Sequence, residues 1–244
     1  MGSFFYIMEF HCKQFSLNHS LSSMKIGTDA ILVSALSPKE NIDFSPLNIL
    51  DIGTGCGIIS LCMAQKYSKA NIIAIDIDKD SVEQAESNFC QSQFSSRLSA
   101  KHIDLTDFST IEEKNYDLII SNPPFFIDSL KSPKEKRSKA RHTDSLSFEQ
   151  LISCSKLLLS EKGILCLILP RVESEIFVQI AKENGFYISG KVDIVSIEGR
   201  IHERVVNYLS LNKDINLNET ILTIRNKDNS YTNEYKNLVS EFLL

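Results

Sequence analysis

The stretch Leu47-Asn48-Ile49-Leu50-Asp51-Ile52-Gly53-Thr54-Gly55-Cys56-Gly57 decides how this chain is read. Leu47 to Ile52 is a short apolar run with the look of a buried strand, and Ile58 to Tyr67 reads as a helix. Between them stand three glycines at alternate positions. A strand, a glycine turn and a helix in immediate succession open a parallel α/β unit. Glycine lets the backbone turn tightly and approach a ligand where a Cβ would obstruct. A dinucleotide site asks for G-x-G-x-x-G/A, with the pyrophosphate on the helix N-terminus. Counted from Gly53, that third position is Ile58, and the glycine comes one residue early, at Gly57. A nicotinamide-dependent oxidoreductase is therefore disfavoured.

Working outward, the alternation continues. Asn71–Ile77 reads as a strand and about Asp80–Gln91 as a helix, followed by strands at Leu98–Ile103 and Tyr116–Ser121. Phe148–Leu159 is a helix, Gly163–Leu169 a strand and Val172–Asn184 a helix. Phe186–Ile197 and Arg204–Leu211 then follow as long strands with no helix between them, which predicts an antiparallel pair closing the sheet. Thr220–Ile224 is a candidate edge strand and Tyr231–Leu244 a last amphipathic helix. Upstream, Phe10–Phe15 suits a short strand or arm. Ala30–Leu36 suits a helix stopped by Pro38, with Thr28 or Asp29 as its N-cap. The expected fold is α/β: a Rossmann-like, doubly wound, mostly parallel sheet with an antiparallel C-terminal strand pair. It forms one domain, with residues 1–46 as an arm and helix beside the ligand site and 47–244 as the α/β core.

A chain of 244 residues that is 43% hydrophobic can fill one large core. The net charge of −5 argues against coating nucleic acid by overall charge, but leaves room for a local basic patch. The six cysteines show neither C-x-x-C nor metal-type spacing, so reduced, buried thiols are expected, with neither disulfides nor a metal site. No run approaches the roughly 20 apolar residues of a membrane span, and no signal peptide is recognisable. A cytoplasmic protein without membrane attachment, a monomer or weak dimer, is the expectation.

Two further features carry chemistry. The strand Asn71–Ile77 carries Asp76 at its end, about 20 residues beyond the second glycine, where a carboxylate accepts hydrogen bonds from ribose hydroxyls. Asp78 reads as the N-cap of the next helix. Secondly, Ile119-Ile120-Ser121-Asn122-Pro123-Pro124-Phe125-Phe126 is an apolar strand that ends on an amide, two prolines and two aromatics. Two prolines cannot continue a central strand, because each lacks the N–H that the ladder needs. The chain must leave the sheet there, at a carboxyl end, where ligands bind in open α/β sheets. The Asn122 side-chain oxygen and the Pro123 carbonyl can accept both N–H bonds of a planar amine, and Phe125 can stack on its ring. Directly after comes a basic stretch. From 131 to 141, Lys131, Lys134, Lys136, Arg137, Lys139 and Arg141 stand against one Glu. Beside a presumed site, such a run reads as a contact to a phosphate backbone.

The pattern D-x-G-x-G-x-G over Asp51–Gly57 resembles motif I of the class I S-adenosylmethionine-dependent methyltransferases. Asn122-Pro123-Pro124-Phe125 resembles the (N/D/S)-P-P-(Y/F/W) motif of the amino-methyltransferases that act on planar nitrogens. Lys13-Gln14-Phe15, Met24-Lys25-Ile26-Gly27-Thr28-Asp29, Ala140-Arg141-His142 and the closing Tyr231-Thr232…Tyr235…Phe242 accompany them. Together these runs resemble the bacterial tRNA1(Val) adenine-37 N6-methyltransferase family over essentially the whole chain.

The resemblance implies methyl transfer from S-adenosyl-L-methionine to the exocyclic N6 amine of an adenine in tRNA. It assigns Asn122, Pro123, Pro124 and Phe125 to catalysis. It assigns the cofactor to Lys25, Thr28, Asp29, Asp51, Gly53, Gly55, Gly57, Asp76, Ile77, Asp104, Leu105 and Asn122. Among these, Lys25, Thr28 and Asp29 belong near its methionine end, Asp104 at its adenine amino group and Leu105 beside that base. Phe126 and the six basic residues fall to the RNA. One departure is Phe125, where members often carry tyrosine; phenylalanine stacks equally well. Alternatives at this level are a guanine-N2 methyltransferase of ribosomal RNA, a glutamine-N5 methyltransferase, or a cofactor-binding RNA module without catalysis. The basic run argues against the glutamine case and the intact Asn122 motif against the last.

Overall fold

A computed structural model describes residues 9–22, 26–38, 47–123 and 146–243. At its centre lies β3 (Asn48–Ile52), with four of its five residues buried. It is flanked in parallel by β4 (Asn71–Asp76) and β6 (Tyr116–Ser121). β5 (Leu98–His102) adds in parallel beyond β4, and β7 (Leu159–Pro170) beyond β6. Past β7 come β9 (Arg204–Ser210), β8 (Tyr187–Ile197) and, at the edge, β10 (Glu219–Arg225). The eight-stranded order is β10-β8-β9-β7-β6-β3-β4-β5. β9 runs antiparallel to both β7 and β8, whereas β10 runs parallel to β8. The expected antiparallel closing pair and edge strand are thus present, with β9 as the reversed strand.

Strands buried on both faces read as continuous apolar runs, because period-2 alternation sends neighbours to opposite cores. Leu118 and Ile120 enter one core with Ile49, while Ile119 enters the other with Leu50 and Ile52. The first core is shared with α1 (Thr28–Leu36), α2 (Ile58–Lys66), α3 (Lys79–Gln91) and α7 (Asn233–Val239). The second is covered by α4 (Leu105–Ile111), α5 (Phe148–Leu158) and α6 (Arg171–Glu183). All six cysteines are free, and five are buried.

Four details differ from the sequence reading. The helix α4 was not expected: its run Leu-Thr-Asp-Phe-Ser-Thr-Ile buries only Leu105 and Phe108, too few positions to show a period. α1 begins at Thr28, so its cap lies one residue before the earlier of the two proposed caps. Gly27 is the N-cap, Thr28 already lies in the first turn, and Asp29 is spent on an ion pair with Arg204 at 3.0 Å. β7 starts directly after α5, so no loop separates Leu158 from Leu159. The last helix ends at Val239, and a turn beyond it delivers Phe242 fully buried into the core.

The N-terminal residues form a hairpin of β1 (Glu9–His11) and β2 (Ser16–Asn18). It is tied to both ends of the fold. The Lys13 N–H donates to the Phe242 carbonyl at 2.8 Å, and the Asn88 side chain of α3 bonds both the N–H and the carbonyl of Asn18. No helix among the described residues is long and apolar enough to cross a membrane.

Candidate active site

Register brings the motif residues side by side. Ser121, Ile52, Ile75 and Lys101 are Cα partners across β6, β3, β4 and β5, and Asp76 pairs with His102 one step further. Asn122 and Gly53 each lie one residue beyond that row. The amide, the glycine turn and the acidic strand end therefore share one rung at the carboxyl edge. With strands about 4.8 Å apart, Asn122 and Asp76 are roughly 10 Å from each other. The Ser121 hydroxyl donates to the Ile52 carbonyl at 2.8 Å, which fastens the ends of β6 and β3 together.

Gly53, Gly55 and Gly57 have φ of 73°, 55° and 86°, a left-handed region that disfavours side chains. At Gly57 space is denied as well: a Cβ would stand 2.5 Å from Phe89 Cε1. At Gly53 a Cβ would meet no atom of the described residues within 4 Å. The loop hangs on backbone bonds, with the N–H groups of Gly53 and Thr54 donating to the Ile75 carbonyl at 2.9 and 3.1 Å. The Asn88 amide also reaches the Cys56 carbonyl at 2.8 Å.

Two carboxylates flank the turn. Asp76 accepts the Gly55 N–H on Oδ2 and the Asp78 N–H on Oδ1, both at 2.9 Å. Each carboxylate oxygen has a second lone pair, so both keep capacity for hydroxyl donors. Burial holds the Asp76 carboxyl above the ordinary range. Asp51, at the end of β3, is completely buried; the hydroxyls of Thr54 and Ser60 donate to its Oδ2 at 2.7 Å each. Its Oδ1 has no hydrogen-bond partner among the described residues. Burial, outweighing those hydroxyl donors, pushes this carboxyl up to about 6.

Beyond Asp76, Ile77 presents an exposed apolar side chain, and its carbonyl lies 3.0 Å from His102 Nε2. Asp78 is the N-cap of α3, where its carboxylate accepts the Ser81 hydroxyl at 2.6 Å rather than a backbone N–H. Asp104 caps α4, accepting the Thr106 N–H on Oδ1 at 2.7 Å, and Leu105 behind it is buried in the second core. The Asn122 side-chain oxygen is buried without a hydrogen-bond partner among the described residues. Thr28 and Asp29, in the first turn of α1, line a cavity together with Arg204 of β9. Lys25, Pro124, Phe125, Phe126, Lys131, Lys134, Lys136, Arg137, Lys139 and Arg141 lie outside the described residues.

Sequence reasoning did not find Thr54, Ser60, Ser121 or Asn88, the polar residues that hold the site together. Ser121 and Asn88 bond groups 69 and 32 or 70 residues away, Thr54 and Ser60 reach Asp51 across the glycine turn from three and nine residues, and no local pattern marks any of them. Among the described residues no cluster of His, Cys, Asp or Glu suits a metal ion.

A parallel sheet with its order reversing at β3, a glycine turn after that strand and an acidic end on the next define a class I methyltransferase fold. The solved structure of a protein described as a predicted O-methyltransferase from Agrobacterium tumefaciens is similar, with a TM-score of 0.68 at 18% identity, covering 87% of this chain and 96% of that one. The family model for the methyltransferase small domain matches residues 19–174. A protein of Flavobacterium psychrophilum is 40% identical over 238 residues, 96% of this chain and 99% of its own. One of Parabacteroides distasonis is 37% identical over 235 residues, 96% of this chain and 97% of its own. Both carry the name tRNA1(Val) (adenine(37)-N6)-methyltransferase, and this chain belongs to their family.

Proposed function

We propose that this protein transfers a methyl group from S-adenosyl-L-methionine to the exocyclic N6 amine of an adenine in tRNA, at position 37 of tRNA1(Val). The observation that carries the chemistry is the Asn122 side-chain oxygen, buried and without a partner among the described residues at the strand end, one strand from the glycine turn. A buried acceptor left without a donor costs about 1–3 kcal/mol, and a substrate N–H relieves that cost. The names of the full-length relatives support the substrate.

The residues present fit the cofactor. No atom of the described residues blocks it at Gly53, Asp76 has acceptor capacity for ribose hydroxyls, and Ile77 offers an apolar surface to its adenine beside Asp104. Asp51, beneath the turn, contributes negative charge under its cationic end. The cofactor supplies an electrophilic methyl group on a sulfonium. The protein's part is positioning. Asn122 and the Pro123 carbonyl take the two N–H groups of the amine, hold its nitrogen in line with the methyl carbon and return electron density to it. Phe125 stacks on the base. With the cofactor bound, the amine nitrogen would receive the methyl group and would then release a proton to solvent. A base within a duplex cannot reach such a site, so the adenine must arrive unstacked, from a loop.

The test is incubation with labelled cofactor and unmodified bulk tRNA, followed by mass spectrometry of the nucleosides. N6-methyladenosine is expected with the wild-type protein. Asn122→Ala should lose about 100-fold or more in turnover while still binding cofactor, the scale on which one positioned polar group acts in other enzymes. N2-methylguanosine as product, or unchanged turnover in Asn122→Ala, would overturn this reading.

A further inference from the structure

A cavity of about 380 Å3 opens at the same carboxyl edge, between the first turn of α1, the ends of β8 and β10 and the start of α7. Its size is that of a small-molecule site, roughly 300–1,000 Å3. One wall is a layered platform: the Arg225 guanidinium lies 4.2 Å from the Tyr231 ring centroid, and Tyr231 stacks on Tyr235 at 5.0 Å. The platform is held rigidly. Arg225 Nη1 donates to the Asn229 carbonyl at 2.8 Å and Nη2 to the Tyr231 hydroxyl at 2.9 Å, across a turn closed by the Asn226 N–H on the Ser230 carbonyl. A guanidinium carries five N–H donors. Two are used in this way, and among the described residues no carboxylate pairs with Arg225.

The opposite wall carries Arg204 bonded to Asp29 at 3.0 Å, and Glu203 accepting the Ser196 hydroxyl at 2.6 Å. Two guanidinium groups and two carboxylates balance, so the cavity does not favour a phosphate. Spare donors, spare carboxylate lone pairs, a flat cationic-aromatic platform and an apolar lining that includes Leu32 suit an uncharged planar heterocycle.

The position fits the same polynucleotide. β9 is two strands from β6 and β10 is four, and Arg204 and Arg225 stand about two and five residues further along their strands than Asn122, so the cavity lies roughly 12–25 Å from Asn122 at about 4.8 Å per strand and 3.3 Å per residue. A stacked strand advances about 3.4 Å per nucleotide, which makes this a few nucleotides, and fewer where bases are splayed out.

We infer that this cavity is a second nucleobase subsite, taking an unpaired base that flanks the one presented to Asn122. The inference rests on RNA being the substrate. The base stacks against the Arg225 guanidinium, which Tyr231 backs from its other side, and bonds its edge to Glu203, so that the enzyme reads a loop rather than a single adenine.

The test uses the full-length protein with an unmodified anticodon stem-loop RNA, and with RNAs carrying 4-thiouridine at single loop positions for photocross-linking. Arg225→Lys keeps the charge and loses the plane; Tyr231→Leu removes the ring. Each should raise KM for the RNA about tenfold, within the range for loss of one base stack. The value of kcat should stay within about twofold and cofactor affinity should not change, a split that a merely structural role would not produce. Wild-type cross-links from one flanking position should map to the peptide containing Tyr231. Normal methylation with unchanged KM in both variants overturns the subsite and leaves the reaction standing. Cross-links at Tyr231 without methyl transfer support the subsite and overturn the reaction. Failure of the wild-type protein to bind the RNA overturns both.

Discussion

Replacing Asp51 by Asn tests whether the site is built around a buried charge. The wild-type carboxyl is completely buried and titrates near 6, against 3.8 for a solvated aspartate. The sign follows from which state holds the proton. Below pH 3.8 both the folded and the unfolded chain are protonated at Asp51, and it carries no penalty. Between 3.8 and about 6 the unfolded chain ionises while the folded one keeps its proton, so stability falls as pH rises. Above about 6 the penalty is complete. At 1.36 kcal/mol per pH unit it amounts to about 3 kcal/mol. Asp51→Asn cannot titrate. Urea denaturation of both proteins without cofactor, from pH 4 to 7.5, should show the stability difference shifting by about 2.4 kcal/mol in favour of Asp51→Asn as pH rises, the remainder having already developed below pH 4. The same ionisation should strengthen cofactor binding through pH 6 in the wild type, and calorimetry should find that rise missing in Asp51→Asn. Stability curves that stay parallel over this range would refute the buried-charge argument.

Three more outcomes follow from the geometry. Asp76→Ala removes both acceptors of the Gly55 and Asp78 N–H groups. Cofactor affinity measured by calorimetry should drop about 10- to 100-fold, the scale of a charged hydrogen bond; unchanged affinity would refute the ribose role. Gly57→Ala places a Cβ 2.5 Å from Phe89 at a φ of 86°, so it should cost about 1–3 kcal/mol or more in denaturation and loosen cofactor binding. Replacing the basic residues from Lys131 to Arg141 by serine should weaken RNA binding and flatten its salt dependence, by a log–log slope of about 0.7 for each single-strand phosphate that is no longer neutralised. Filter binding at several salt concentrations that finds the slope unchanged would reduce the run to a solvated surface.

Much of the scaffold was legible in one dimension because its signals are local. Leu118, Ile119 and Ile120 read as a buried strand whichever core each enters, and glycines at 53, 55 and 57 announce a left-handed turn without reference to anything distant. Asn122 was legible because two prolines end a strand wherever they stand. The seven-residue α4 was hidden, since two buried positions make no period.

The partners of the polar groups were beyond reach of pattern, because a hydrogen bond depends on atoms brought together from anywhere in the chain. Asp29 looked like a helix cap and turned out to pair with Arg204, which lies 175 residues away. Asp51 looked like one more motif position, and only its enclosure by Thr54, Ser60 and two packed cores gives it a proton near pH 6. Arg225, Tyr231 and Tyr235 form a platform only because the turn before α7 folds back on the end of β10. The order of residues was enough to specify strands, turns and the edge where a ligand must lie. Charge, burial and the walls of the cavities came from packing, because desolvation and contact exist only once the strands are side by side.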